Sequence, residues 1–207
     1  MNKIIIILAL LLSLNIFPAV CAGSSTQKPG THDAKEITKY LNLRMDYSKS
    51  LEYNPYNSEM RGIMGKCNKL MDEDKFNEAI EEAKAGLKMD KYNIQLLVCL
   101  ASAYRKIGDI ENADNYRKLW TGLASSILAG GDGKSEKSAF TVISVDEEYA
   151  VLDVLGLRRV KQRLVTIDDK NFDILEVKGR DTDKTFELYF NIDIPFKWLA
   201  KKLESAK

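Results

Sequence analysis

Residues 60–79 read MRGIMGKCNKLMDEDKFNEA, and residues 94–113 read IQLLVCLASAYRKIGDIENA. Laid over one another at an offset of 34, Ile63 meets Leu97, Leu70 meets Tyr104, Phe76 meets Ile110 and Ala79 meets Ala113. Each copy is a run of apolar residues at helical spacing, a break (Asp74-Lys75 or Gly108-Asp109), and a second such run. Phe76, Ala79, Ile80, Ala83 and Leu87 make one apolar stripe at the helical period, so that stretch is an amphipathic helix. The small Ala79 and Ala113 stand where two helices approach most closely. The reading is a helix hairpin, repeated once.

The 34-residue period and the placing of these residues resemble the tetratricopeptide repeat, over about Met60 to Leu128. Lys66 and Lys91 depart from that pattern, standing where it usually has Leu and Pro. Two repeats are few for such a stack, which buries its apolar faces only between neighbours. A helix upstream, Ala34 to Leu51, is expected to cap them, ending before Pro55, which pushes the residue ahead of it away from helix. Repeats of this kind carry a concave face that holds a peptide or protein. By register that face presents Arg61, Met64, Asn68, Met71 and Asp72, then Gln95, Val98, Ser102, Arg105 and Lys106. Asn68, Gln95, Ser102, Arg105 and Lys106 are the partner-binding candidates, because amides and cations hold a peptide backbone or carboxylate. The same face covered by another part of the chain is the alternative reading.

The second half has a different grammar. Ala129-Gly-Gly-Asp-Gly-Lys-Ser135 marks a boundary. Its Gly133-Lys134-Ser135 imitates a phosphate loop, but Leu128 stands where that motif needs its first Gly, and a strand follows rather than a helix. Phe140 to Val145 is β-branched and reads as a strand. Ser144 and Glu147 have capping-box spacing, and Asp146, Glu147 and Glu148 suit the positive end of a helix that stops at Gly156. Strands follow at about 159–167, 172–177 and 185–192, then a closing helix with Pro195 in its first turn. The expected fold is α+β: a tetratricopeptide-like helical repeat followed by a small, mainly antiparallel β-α-β-β-β-α domain. The expected division is a signal peptide at 1–22, a flexible tail at 23–33, the helical domain at 34–128 and the α+β domain at 129–207.

Composition narrows the function. The chain has 207 residues, 45% hydrophobic and 29% charged, with a net charge of +1. Neither half carries the cationic excess that a nucleic-acid backbone requires, so nucleic acid is not an expected partner. The one dense basic run holds Arg159, Lys161 and Arg163. Alternation in a strand puts these on one face, as an anionic-surface candidate or as a solvated strand that resists edge pairing. The only histidine is His32, expected in the flexible tail, which removes His-based triads and multi-His metal sites. No cofactor and no metal are expected. Asp146, Glu148 and Asp193 leave room for a carboxylate-dependent hydrolase.

The N-terminus points to export. Met1-Asn2-Lys3, an apolar run from Ile4 to Leu14, and Val20 and Ala22 before Gly23 fit a secretory signal. Cys21 offers the rival reading of a lipoprotein, and only then does a membrane enter. Cys67 and Cys99 admit pairing in an oxidising compartment, or burial as small apolar residues.

Leu43-Arg-Met-Asp-Tyr47, Tyr53-Asn-Pro-Tyr56, Gly131-Asp-Gly-Lys-Ser135, Val142-Ile-Ser-Val-Asp-Glu-Glu-Tyr149 and Tyr189-Phe-Asn-Ile-Asp-Ile-Pro195 resemble an uncharacterised group of exported bacterial proteins, domain-of-unknown-function family 4919. The resemblance runs from about Leu41 to Leu203. It implies one architecture joining both halves, and it brings no activity or catalytic residue with it. The expected function is an exported, non-enzymatic binding or scaffold module of the bacterial envelope, with a protein or peptide partner.

Overall fold

The computed structural model describes residues 32–179 and 182–205. The expected signal sequence, Cys21 and all but the last two residues of the expected tail lie outside the described residues. The fold is α+β, with seven α-helices and a four-stranded mixed sheet among the described residues. The chain divides into two compact units within the last turns of one helix, after Ser126.

The first unit is helical. It holds α1 (Ala34–Tyr47), α2 (Ser58–Asp72), α3 (Phe76–Leu87), α4 (Ile94–Lys106) and most of α5 (Ile110–Leu128). Side-chain caps set the starts: Asp33 accepts from the Glu36 amide, Asn57 from Glu59 and Asn93 from Leu96. The two hairpins match at the level of backbone. Asp74 and Gly108, 34 residues apart, are both left-handed, with φ of 55° and 83°. Directly after each, the Lys75 amide donates to the Leu70 carbonyl and the Asp109 amide to the Tyr104 carbonyl, both at 2.9 Å. These bonds close the last turn of the first helix, and the left-handed residue reverses the chain. Ala79 and Ala113 are fully buried, at the close approach their size permits.

The structure corrects the expected place and length of α1. It ends at Tyr47 rather than Leu51, and residues 48–57 form turns. Its side chains meet α5, the last helix of the unit. Glu36 pairs with Lys118, the Tyr40 ring lies on Gly122, and Arg44 donates to Ser126 at 3.3 Å. Each contact spans 82 residues and recurs every four, so α1 runs parallel to α5. Gly122 and Ser126 supply the shallow groove that the larger Tyr40 and Arg44 fill. Sequence order suggested an upstream cap; shape complementarity puts the helix against α5. His32 is also more fixed than a tail would make it. Its ring lies 3.1 Å from both the Glu36 carboxylate and the Thr121 hydroxyl.

The second unit carries β1 (Phe140–Thr141), α6 (Val145–Leu155), β2 (Leu157–Ile167), β3 (Lys170–Gly179), β4 (Thr185–Asn191) and α7 (Asp193–Ser205). The sheet order is β1-β4-β3-β2, with β1 parallel to β4 and the other pairs antiparallel. β1 is shorter than its β-branched run suggests, because Ser144 turns out of the strand to cap α6. Its hydroxyl accepts from the Glu147 amide, and Glu147 in turn accepts from the Ile143 amide at 2.8 Å. Asp168 and Asp169, with φ of 47° and 59°, form the tight turn joining β2 to β3. β3 is central and buried on both faces. Asp173, Leu175 and Val177 point one way; Phe172 and Ile174 point the other, into a cluster with Val165, Ile167 and Tyr189.

Candidate functional site

On the helical unit, the expected binding face is only partly open. Near the starts of α2 and α4, Arg61 is exposed, but Met64 is buried and Gln95 is 7% exposed; this corrects Gln95 as an accessible contact. Packing against neighbouring elements takes the first turn of α4 inside, where helical register alone put it outside. Toward the C-terminal ends of α2 and α4, Asp72, Ser102, Arg105 and Lys106 are exposed and Asn68 and Met71 half-buried. Arg105 pairs with Asp114 at 2.9 Å, and the Lys106 ammonium sits 5.9 Å over the Phe76 ring. Both contacts are surface-exposed, so each holds its cation weakly and can be exchanged for a ligand's carboxylate.

The basic run of β2 is not one face. Arg159 pairs with Val177 and Lys161 with Glu176, so Val160 is an extra residue in β2. A β-bulge of one residue inverts the alternation. Arg159 therefore joins Gln162 and Asp173 on one face, while Lys161 and Arg163 lie on the other. There Lys161 pairs with Glu176 and Arg163 with Glu187, at 3.8 and 2.9 Å. Cross-strand acids thus offset the two cations that share a face.

The Gly131–Ser138 segment is a structural loop. The Asp132 carboxylate accepts from the Ser138 hydroxyl at 2.6 Å and the Lys134 amide at 3.0 Å, and these bonds hold its carboxyl down at about 2. Gly133 is left-handed, its amide donates to the Ser138 carbonyl, and its carbonyl accepts from the Tyr189 amide of β4. The groups a phosphate would need are engaged by the loop itself.

The most unusual chemistry lies between α6 and β3. Glu148 and Asp173 are 1% and 0% exposed and face one another. Two buried carboxylates repel, and burial itself penalises charge. Desolvation, then the charge of Asp173, raises Glu148 well above the usual carboxyl range. Burial raises Asp173 to about 6, against the lowering effect of its Glu148 neighbour and of the Gln162 hydrogen bond. Neither Glu148 oxygen nor Asp173 Oδ1 has a hydrogen-bond partner, so burial and the neighbouring carboxylate together keep a proton on Glu148. The Gln162 amide donates to Asp173 Oδ2 at 2.5 Å, and Arg159 donates to the Gln162 carbonyl. The Arg159 guanidinium also lies 5.7 Å over the Tyr149 ring, closing the group toward the surface.

The sequence singled out Glu148 but not Asp173, its partner. Asp173 sits in an apolar strand, Phe172 to Val177, where a lone acid among buried positions was the available signal. Asp193, by contrast, is a clamp. It accepts from the backbone and side-chain amides of Asn171, at 2.9 and 3.0 Å, and pairs with Lys197. Asp146, Glu148 and Asp193 therefore do not converge. Among the described residues no three His, Cys, Asp or Glu side chains gather as a metal site requires.

A family model described as a domain of unknown function, DUF4919, matches residues 31–201. The chain belongs to this family. Its match spans both units, from the His32 contact to the last turns of α7. No curated protein and no solved structure matches the chain.

Proposed function

We propose that this DUF4919 protein is an exported, non-enzymatic binding module of the bacterial envelope, with a tetratricopeptide-like helical unit that holds a protein or peptide segment. The observation that carries the reading is the repetition of a whole hairpin joint at a 34-residue offset. The left-handed Asp74 and Gly108, the bonds that follow them and the buried Ala79 and Ala113 all recur. Such stacking supports binding along the first helices of the hairpins. The open ends of α2 and α4, with Asn68, Ser102, Arg105 and Lys106, are the contact surface in this reading. Gln95 is excluded by its burial.

The alternative, a carboxylate-dependent hydrolase, has less support. Its best acids, Glu148 and Asp173, are closed off from solvent, and a carboxyl that meets no solvent meets no substrate. Among the described residues, no helix is long and apolar enough to cross a membrane. An anchor on Cys21 is tested by palmitate labelling.

The test of the binding reading is crosslinking capture from cell-envelope extract. The bait is the chain from Gly23 onward, beside Arg105→Glu/Lys106→Glu and an Arg163→Glu control on the other unit. A partner kept by the control and lost by the double variant is expected. Capture that none of the changes alters, or no capture at all, would overturn the assignment of this face.

A further inference from the structure

The buried sides of α2 and α4 bring two sulfur atoms together. Cys67 is 1% exposed and Cys99 5%. Neither is held in a disulfide, and Cys99 is the leading influence on the Cys67 thiol, which places the two side chains close together. They come from the first helix of each hairpin, and those helices pack directly on one another. A disulfide requires cysteines on facing elements with converging side chains. Two buried thiols between directly packed helices meet that requirement without moving either helix far.

We propose that Cys67 and Cys99 form an oxidation site, closed to a disulfide by a disulfide-bearing thiol oxidant, and that the bond staples α2 to α4. The Cys67 thiolate attacks one sulfur of the oxidant, forming a mixed disulfide and releasing one oxidant thiolate. The Cys99 thiolate then attacks the Cys67 sulfur and expels the second. The two cysteines lose two electrons, the oxidant gains them, and the two thiol protons end on the oxidant's sulfurs. Because both sulfurs are buried, exchange proceeds while α2 and α4 are apart, during folding or local opening. The staple fixes the spacing of the helices that carry Asn68, next to Cys67, and Ser102, one turn beyond Cys99. It does not depend on those residues binding anything.

The experiment uses the full chain with Cys21→Ser, purified folded under reducing conditions. The chain is equilibrated with glutathione buffers from fully reduced to fully oxidised, in low urea to permit opening. It is then quenched, denatured, alkylated and mapped by peptide mass. Peptides carrying Cys67 and Cys99, joined and lighter by two hydrogen atoms, are expected at the oxidised end. A Tm several degrees above that of the reduced chain is expected with them. In Cys67→Ser and Cys99→Ser the gain in Tm is lost and the remaining thiol is alkylated. Alkylation of both cysteines at the most oxidising ratio, or each capped separately by glutathione, would overturn the proposal.

Discussion

Replacing Glu148 by Gln tests the proton held between α6 and β3. Asp173 rises on folding from its ordinary 3.8 to about 6. Each pH unit of such a rise is about 1.4 kcal/mol, so Asp173 contributes about 3 kcal/mol at low pH. The sign follows from the folded protein binding the proton more tightly. That stability is fully present below the ordinary carboxyl range and is lost as pH rises through about 6. Glu148, raised further, continues the loss above that point as a second charge enters the core. A glutamine has the shape of glutamic acid, stays neutral beside Asp173 at every pH, and has no proton to lose. Urea unfolding from acid to mildly alkaline pH is the assay. The natural chain is expected to lose stability steadily across this range, by about 3 kcal/mol or more, on the order of 10 °C in Tm. Glu148→Gln is expected to be nearly flat above about pH 6 and the more stable of the two at the alkaline end. If the two curves fell in parallel, the titrating group would lie elsewhere and the proton on Glu148 would be refuted.

Three glycines give predictions of opposite sign. A Cβ on Gly122 would stand 2.1 Å from the Tyr40 ring, so Gly122→Ala forces α1 away from α5. It is expected to cost about 1–3 kcal/mol in urea unfolding, and Tyr40→Ala in the same chain should remove part of the penalty of the added methyl. Gly62 and Gly65 lie inside α2 with nothing within 4 Å of an added Cβ. Gly62→Ala and Gly65→Ala are each expected to raise stability by up to about 1 kcal/mol, since glycine is the poorer helix former. A loss of stability in either would mean that this face of α2 is covered.

Most of the helices and strands were legible from local spacing. A period of 34 showed the hairpin and its repetition, because helix packing imposes small and large residues at fixed places whatever lies beyond. Ser144 with Glu147 fixed the start of α6 because capping is local, and Pro195 fell in the first turn of α7 for the same reason. The bulge at Val160 was not legible, since an added residue in a strand looks like any other until its partner strand supplies the register. It reversed the side on which Arg159 lies and brought that residue to Gln162 and Asp173. The burial of Gln95, the pairing of Glu148 with Asp173, the approach of Cys67 to Cys99 and the seat of α1 on α5 join residues far apart in the chain. Local spacing governs which residues share a helix or strand. Which faces then meet depends on how complementary surfaces fill space, and spacing along the chain does not encode that.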